Sequence, residues 1–379
     1  MRWPKHPVEN VRPSRFRPPF CPWDDCVAHR APGLGFHGHG YYRKRKAPTR
    51  IPRFRCLDCK HTCSRQTFST TYYLKRPELL VATASGLAAC SAHRQIARSV
   101  HAAKTSVTRT AERLGRHAIL FHARVLAHLL PLAEPIVHDH FETFIGRQDQ
   151  ALGVGTAVGA GSRFLYDLDP APHRGSGRRP DRTRESVEKS SVSRPYVRSI
   201  RRTIRGLISH QSADRPLILR ADGRGDYRVA LREAALESRI SLEAFPNPVR
   251  GPKGSPRSAE AIARDTAMFP VDQLHQLLRH SCADHKRETI AFGRRLESIL
   301  GRAHLMAVWK NFIKARSERA PDRTTPAMRL GLADERWRWE RILSRRLFPT
   351  REPVSESALR IYRKRWSPAL PELGLKQAA

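Results

Sequence analysis

The sequence contains no long apolar run, no lipidation motif and no apolar segment near its start of the kind that a signal peptide carries. We therefore expect neither a membrane-spanning helix nor a membrane anchor, and we expect a cytoplasmic protein. Cysteines are also few: the 379 residues include only seven, an odd number, and some of them occur in C-x-x-C spacing. This pattern favours metal binding in a reducing compartment over a disulfide framework.

Acidic residues are scarce as well. Only 35 Asp and Glu stand against 70 Lys and Arg, so the formal net charge is +35 and the sequence pI is near 11.2. The excess of positive charge continues along the whole chain, and such a surface repels itself unless a polyanion neutralises it. RNA is the weaker expectation for this polyanion, because no aromatic motif of an RNA-binding module is visible. The composition therefore predicts a nucleic acid as the partner, with DNA favoured over RNA.

Four of the cysteines form two close pairs, one in CPWDDC and one in RCLDCK, about thirty residues apart. Two such pairs are typical of a zinc ribbon, in which four thiolates surround one structural Zn²⁺. The predicted ligands are Cys21, Cys26, Cys56 and Cys59. Three side chains are possible substitutes for one of them: His37, His39 and Cys63. Ordinary thiols without metal are the alternative, and we interpret Cys90 and Cys282 in that way, as small apolar residues.

The segment that follows the cysteine pairs is typical of successive helices. SAHRQIARSV, a short HAA turn and KTSVTRTAERLGRHAI predict two helices around a tight turn, with Val107 and Leu114 on the apolar face of the second. This is the helix-turn-helix layout, in which the second helix enters the major groove of DNA. A plain helical hairpin is the alternative. The predicted DNA contacts at the start of the second helix are Lys104, Thr105, Ser106 and Arg109.

From residue 135 the pattern changes to strands. PIVHDHFETFIG, ALGVGTAVGAG and RFLYDLDP predict three strands, and RPLILRADG, YRVALREAALESR and ISLEAF then predict strand, helix and strand. The first and fourth strands deliver Asp139 and Asp222. This order of elements is that of an RNase H-like mixed sheet. The predicted fold class is therefore α/β: an N-terminal zinc ribbon and helix-turn-helix, then an RNase H-like catalytic domain.

The segment FPVDQLHQLLRH contains a candidate third acid, Asp272. Pro270 in this segment fits the first turn of a helix. Asp272, His275 and Arg279 are then spaced to share one helix face, which brings an acid, an imidazole and a phosphate-binding guanidinium together. Glu288 is the rival third carboxylate. Two or three converging carboxylates would bind a pair of catalytic Mg²⁺ ions.

The succession of these motifs, closed by TTPAMRLGL, resembles the zinc-ribbon DDE transposases of bacterial insertion sequences over roughly residues 15–335. The resemblance implies a transposase that binds double-stranded DNA, at element ends and target, as a homo-oligomer and catalyses Mg²⁺-dependent strand cleavage and strand transfer. Such a protein is expected in the cytoplasm, associated with the nucleoid. It also implies that Asp139, Asp222 and Asp272 are the catalytic acids. The chain departs from the family pattern where Asp272 stands for Glu and where His275 stands for Asn.

Each acid also has a simpler interpretation. Asp139 can end a strand, Asp222 before glycine can be an ordinary turn residue, and Asp272 can be a helix N-terminal acid that the helix dipole favours. A DNA-binding regulator that keeps the ribbon and the helix-turn-helix but has lost the chemistry is therefore the alternative function. The predicted boundaries are 15–75 for the ribbon, 76–130 for the helix-turn-helix, 131–340 for the catalytic domain with a flexible basic insert at 173–202, and 341–379 for a basic C-terminal tail.

Overall fold

A computed structural model describes residues 1–44, 50–172, 193–211, 214–249, 252, 255–286, 289–319 and 321–365. The strands within these residues are β1 (Phe36–Arg43), β2 (Arg50–Cys56), β3 (Thr62–Ser64), β4 (Ile136–Ile145), β5 (Arg147–Gly159), β6 (Leu165–Pro172), β7 (Leu217–Ala221) and β8 (Ile240–Ala244). The helices are α1 (Leu79–Ala88), α2 (His93–Ser99), α3 (Lys104–Leu126), α4 (Arg194–Ile208), α5 (Gly225–Ala234), α6 (Ala259–Ser281), α7 (Leu296–Phe312), α8 (Pro326–Arg329), α9 (Trp339–Ile342) and α10 (Glu356–Tyr362). No helix in this described part of the chain has the length and apolar content that a membrane span requires.

The N-terminal part of the chain is a small antiparallel sheet in the order β1-β2-β3. Its core is aromatic. The ring centroid of Phe16 lies 5.7 Å from that of Phe54 and 5.9 Å from that of Phe68. Such a core is small for an independent unit, and a structural metal would supply folding free energy that the aromatic contacts alone do not.

Three helices follow the small sheet. A turn over residues 100–103 separates α2 from α3, and α1 packs on both helices. Val107 and Leu114 are buried, as their spacing predicts. The helix α3 continues to Leu126, so its second half extends beyond the helix pair and packs along α7. The helix pair is therefore rigidly joined to the rest of the molecule.

The larger sheet has five strands in the order β6-β5-β4-β7-β8. β5 runs antiparallel to β4 and β6, whereas β4, β7 and β8 run parallel to one another. The three strands, the strand–helix–strand unit and the helix after it were all predicted from the sequence. The mixed α/β architecture of this part is thereby confirmed.

Helices cover both faces of this sheet. The side chains of β4 accordingly alternate between two hydrophobic clusters, one on each face. Ile136 belongs to the cluster that includes α4 and α5, whereas Val137 and Phe141 belong to the cluster that includes α6 and α7. Asp139 lies on the same side of the strand as Val137 and Phe141, so the helix that it faces is α6.

Helix α6 begins earlier than the sequence suggested. Its N-terminal residue is Ala259, and the hydroxyl of Ser258 accepts a hydrogen bond from the Ala261 amide at 3.2 Å. Pro270 lies inside the helix rather than in its first turn. The alanine-rich segment AEAIARDTAM has enough helix propensity to extend the helix upstream of the proline. Asp272 is therefore in the middle of a helix, so its interpretation as a helix N-terminal acid is wrong.

The predicted insert at 173–202 is described only from residue 193 onward, and from Arg194 it is already part of α4. The C-terminal segment from 341 onward is described as far as residue 365. Residues of this segment pack on the N-terminal sheet: Phe348 joins its aromatic cluster, and the Arg346 amide donates to the Phe68 carbonyl at 2.8 Å. Both termini of the described chain therefore contribute to one packed body.

The crossing of α3 over α7 is close because both helices have a glycine there. A Cβ atom added to Gly115 would lie 2.9 Å from the Cα atom of Gly301. Since the obstructing atoms are backbone, Gly115→Ala should force the helices apart and lower the free energy of unfolding by about 1–3 kcal/mol. Urea denaturation measures this loss.

Gly206→Ala is the matched control, because Gly206 lies in α4 and an added Cβ would meet no heavy atom within 4 Å. This variant should be as stable as the wild type, or more stable by about 0.5–1 kcal/mol, since alanine favours helix. Equal stability of the two variants would contradict the close crossing.

Candidate functional site

The four predicted zinc ligands come together in the N-terminal sheet. Their sulfur atoms all lie within 4.8 Å of one another, and three of the four side chains are buried. The Sγ atoms of Cys21 and Cys59 are 3.6 Å apart, and those of Cys26 and Cys56 are 3.8 Å apart. A tetrahedral ion with Zn–S bonds of about 2.3 Å requires sulfur atoms about 3.8 Å apart. The cluster is therefore consistent with a structural Zn²⁺ site.

The three possible substitute ligands lie elsewhere. Cys63 is buried in the aromatic cluster, where burial, followed by the charges of Cys56 and Cys59, raises its pKa to about 12. His37 and His39 are exposed on β1. His29 and Thr350 form a hydrogen-bonded chain beside the loop that carries Cys21. His29 Nδ1 is 2.7 Å from the Cys21 carbonyl oxygen, and its Nε2 atom is 2.8 Å from the hydroxyl of Thr350.

The carboxylate group of Asp139 lies at the centre of the larger sheet. The β4–β7 register pairs Val137 with Arg220, so Asp139 and Asp222 each lie two residues beyond that pair on adjacent parallel strands. Register alone therefore places the two acids side by side, with Asp139 inside β4 and Asp222 directly after the last residue of β7.

Helix α5 holds the strand that carries Asp139 in this position. The hydroxyl group of Tyr227 donates to the His138 carbonyl oxygen at 3.0 Å and lies 2.9 Å from His138 Nδ1. His138 and His140 point away from Asp139, toward α4 and α5, as strand alternation predicts. Asp222 lies in the turn before α5 and accepts a hydrogen bond from the Arg224 amide at 3.2 Å.

The predicted face of α6 lies over β4. His275 Nδ1 is 3.9 Å from Asp139 Oδ2, and its Nε2 atom is 2.9 Å from the hydroxyl of Thr156. Arg279 packs over the ring of Phe141 and donates to the Glu142 carbonyl oxygen at 3.1 Å. The face of α6 that carries the predicted residues therefore lies against β4.

The hydrogen bonds of His275 identify its tautomer. The hydroxyl of Thr156 donates its only proton to the Asp139 carbonyl oxygen at 3.0 Å, so it must accept from His275 Nε2. Burial, followed by the charge of Arg279, lowers the pKa of His275 to about 3, so the ring is neutral. The unprotonated Nδ1 atom then faces Asp139, and His275 supplies no positive charge to this carboxylate.

The three predicted acids affect one another electrostatically. Burial, followed by the charge of Asp222 and then by that of Asp272, raises the pKa of Asp139 to about 7. Burial also raises the pKa of Asp222. Among the described residues, however, these acids do not form a group whose ligand atoms all lie within 4.8 Å of one another. Glu288, the rival third acid, lies outside the described residues.

Arg264 is a central residue of this site that sequence reasoning missed. It forms an ion pair with Asp272, and its Nη2 atom lies 3.4 Å from Asp272 Oδ1. Its charge also opposes the rise in the pKa values of Asp139 and Asp222, which burial causes. Arg264 is thus the cation that all three carboxylates share. It lies upstream of Pro270, in the part of α6 that the sequence interpretation had not assigned to the helix.

The start of α3 forms a basic surface together with α2. The predicted contacts Lys104, Thr105 and Arg109 are exposed, and Ser106 is half-buried. A shallow groove beside them is lined by the residues Arg94, Ala97, Arg98, His101, Ala102 and Lys104. Four of these six side chains are basic or carry an imidazole, so the groove concentrates positively charged groups.

The zinc cluster leads to a prediction about metal content. Cys59→Ser should lower the zinc content by about one ion per chain, because three thiolates and a hydroxyl bind Zn²⁺ much more weakly than four thiolates. Residues 15–75 should then become sensitive to limited proteolysis. Inductively coupled plasma mass spectrometry and protease digestion measure the two effects. Cys63→Ala is the control and should keep the ion, whereas unchanged zinc in Cys59→Ser would contradict the assignment.

The raised pKa of Asp139 leads to a prediction about stability. A carboxyl group that has a higher pKa in the folded than in the unfolded chain stabilises the fold at low pH, and this contribution is lost as pH rises through about 7. Without added Mg²⁺, the wild type should lose about 2 kcal/mol more than Asp139→Asn between about pH 5 and about pH 8. Urea denaturation at several pH values measures this difference. Parallel pH profiles for the two proteins would refute it, and Glu260→Gln, an exposed change on α6, should follow the wild type.

Comparison of the chain with models of known protein families gives no match, and comparison with curated proteins gives none either. The interpretation of the four cysteines and of the three acids therefore rests on the geometry of the chain itself.

Proposed function

We propose that this protein is a DNA transposase, which binds the ends of its element through the N-terminal domains and cleaves and joins DNA strands at the carboxylate cluster. The observation that carries the proposal is the register of β4 and β7, which sets Asp139 beside Asp222, and the charges of Asp222 and Asp272 add to the rise in the pKa of Asp139. The three acids are far apart in sequence, and they come from β4, from the turn after β7 and from α6.

The sheet topology supports this proposal. An RNase H-like core has three antiparallel strands, with the first of them at the centre of the sheet, followed by two parallel strands on its other side. The order β6-β5-β4-β7-β8 has this arrangement. In such a core the acids come from the central strand, from the parallel strand beside it and from a helix, and here the corresponding elements are β4, β7 and α6.

The chemistry of the donor set fits divalent cations with oxygen ligands. Asp139 is partly buried, with 25% of its side-chain surface exposed, and it receives no proton from His275. Asp139 and Asp222 would hold Mg²⁺, and Asp272 would complete the site once it is released from Arg264. With two Mg²⁺ ions bound, the available chemistry is stabilisation of the attacking and leaving oxygens in phosphoryl transfer.

The residues around the acids have positioning roles. His275 and Thr156 hold the backbone of β4 against α6, and Tyr227 holds it from the opposite face. Arg264 would move from Asp272 to a DNA phosphate when cations enter, since a guanidinium binds phosphate as well as carboxylate.

The DNA-binding role rests on the N-terminal domains. The net charge of +35 over the whole chain favours binding to a polyanion. The basic side chains of the groove between α2 and α3 would contact the phosphates of DNA. Lys104, Thr105 and Arg109 are exposed at the start of α3, where a recognition helix contacts base edges. We expect the protein to act on DNA as a homo-oligomer.

A DNA-binding regulator without catalytic activity is the second candidate. The ion pair between Arg264 and Asp272 favours it, because an arginine that neutralises the third acid leaves a weaker site for cations. The shorter Asp272 side chain in place of the Glu of the family pattern favours it as well.

Substitution of the acids separates the two candidates. Asp139→Asn and Asp222→Asn should each lower Mg²⁺-dependent cleavage by at least about a thousandfold, the scale of losing one member of a catalytic unit. Binding of the same DNA should stay within about twofold, because the ribbon and α3 lie outside the carboxylate cluster. The measurement is strand cleavage of DNA fragments that carry the sequences flanking the gene, run beside a binding titration.

Asp272→Asn should behave as the other two acids do, and Glu260→Gln is its control because Glu260 is an exposed acid in the first turn of the same helix. Full cleavage by Asp139→Asn and Asp222→Asn would remove the transposase mechanism. A wild-type protein that binds the fragments but never cleaves them would establish the regulator instead.

A further inference from the structure

A second group of metal-binding side chains lies apart from the ribbon and from the carboxylates. Cys282, Asp284 and His285 have ligand atoms that all lie within 4.8 Å of one another. Their residues are 0%, 6% and 1% exposed, so the group is inside the protein. It lies in the connection between α6 and α7, and neither the sequence motifs nor the proposed function assigns it a role.

Local backbone structure brings these side chains together. The Cys282 amide donates to the Leu278 carbonyl oxygen at 3.0 Å, so Cys282 caps the end of α6. The His285 amide donates to the Cys282 carbonyl oxygen at 3.1 Å and closes a tight turn. A cysteine and a histidine three residues apart across such a turn point to one place.

Two polar atoms of the group are buried without a hydrogen-bond partner in the described part of the chain: His285 Nε2 and Asp284 Oδ1. The other imidazole nitrogen, His285 Nδ1, is 3.3 Å from the hydroxyl of Thr143. Asp284 Oδ1 lies 3.1 Å from Arg302 Nη1 as an ion pair, without the geometry of a hydrogen bond. Unsatisfied buried polar atoms are costly, so a ligand that accepted their lone pairs would be favourable.

We propose that Cys282, Asp284 and His285 bind a second Zn²⁺ ion, with a fourth coordination position for water or another ligand. A sulfur, an imidazole nitrogen and a carboxylate oxygen are all ligands that Zn²⁺ takes, and three protein ligands with one further position make a complete tetrahedral site. The set is unsuitable for Mg²⁺, which prefers oxygen ligands alone.

The charge of Arg302 is compatible with this site. A thiolate and a carboxylate together neutralise the two charges of Zn²⁺, and a carboxylate has a second oxygen that can face an arginine outside the coordination sphere. Arg302 also donates to the Leu87 carbonyl oxygen at 3.2 Å, at the end of α1. The competing role of the group is an ion pair of Arg302 and Asp284 with a thiol and an imidazole beside it, and no metal.

The position of the site gives it a structural consequence. His285 contacts the Phe141 ring of β4 at 5.1 Å, and its neighbour Thr143 is on the same strand. A metal ion here would fix the C-terminal end of α6 to β4, and through Arg302 it would connect α7 to the helices of the N-terminal region. The inference rests on this geometry and is independent of the proposed activity.

The test is the zinc content of the full chain, measured by native mass spectrometry and by elemental analysis. The wild type should carry two zinc ions, and Cys282→Ser and His285→Gln should each carry one. Cys59→Ser, which removes a ribbon ligand, should also carry one. Cys63→Ala is the control with a buried cysteine outside both groups, and it should carry two.

Cobalt substitution of the wild type tests the same site without any variant, so the test does not depend on how the variants fold. Two equivalents of Co²⁺ should bind, and the second should show the weaker sulfur-to-cobalt absorption of a single thiolate. One zinc ion in the wild type, a single cobalt equivalent, or two zinc ions in both Cys282→Ser and His285→Gln would overturn the proposal. Zinc content does not depend on cleavage, so its outcome is separate from that of the transposase assay.

Discussion

Mutual repulsion between the partly buried carboxylates of Asp139, Asp222 and Asp272 is the constraint on which the arrangement around the larger sheet depends. Asp139 and Asp222 lie side by side because the register of β4 and β7 requires it, and the folded chain cannot separate them without breaking the sheet. Burial and the neighbouring charges raise the pKa of Asp139 to about 7. Positive charge has to compensate: Arg264 pairs with Asp272 and acts on all three acids, and Arg224 acts on Asp222 as well.

The packing around the acids maintains this arrangement. Tyr227 and His138 join α5 to β4, while His275 and Thr156 join α6 to the opposite face of the sheet. Each of these contacts uses a polar group that is buried and hydrogen-bonded, which gives the elements a defined register rather than only an apolar contact. The geometry of the site is therefore a property of two helices and two strands together.

The N-terminal sheet is held by interactions of a different kind. Its four cysteines form a cluster that is consistent with a structural Zn²⁺ site, and its aromatic core is completed by Phe348 from the far end of the chain. A Zn²⁺ ion at the cysteines would, together with this long-range contact, compensate for a core that is small for the size of the unit. If Cys282 and His285 also hold an ion, metal sites support both the N-terminal sheet and the junction of α6 with β4.

The sequence by itself determined the local features: two cysteine pairs at ligand spacing, the order of strands and helices, and the placement of Asp139 on one strand and of Asp222 directly after another. Each of these depends on residues close together in the chain, where side-chain period and turn chemistry decide the outcome. Only the tertiary structure decided that Arg264 is the shared counter-cation, that Phe348 packs on the ribbon, and that Cys282 lies beside two other metal-binding side chains. These features depend on how separate elements pack. The start of α6 was misplaced by a local rule, the preference of proline for the first turn of a helix, because the helix propensity of the residues before Pro270 outweighed it.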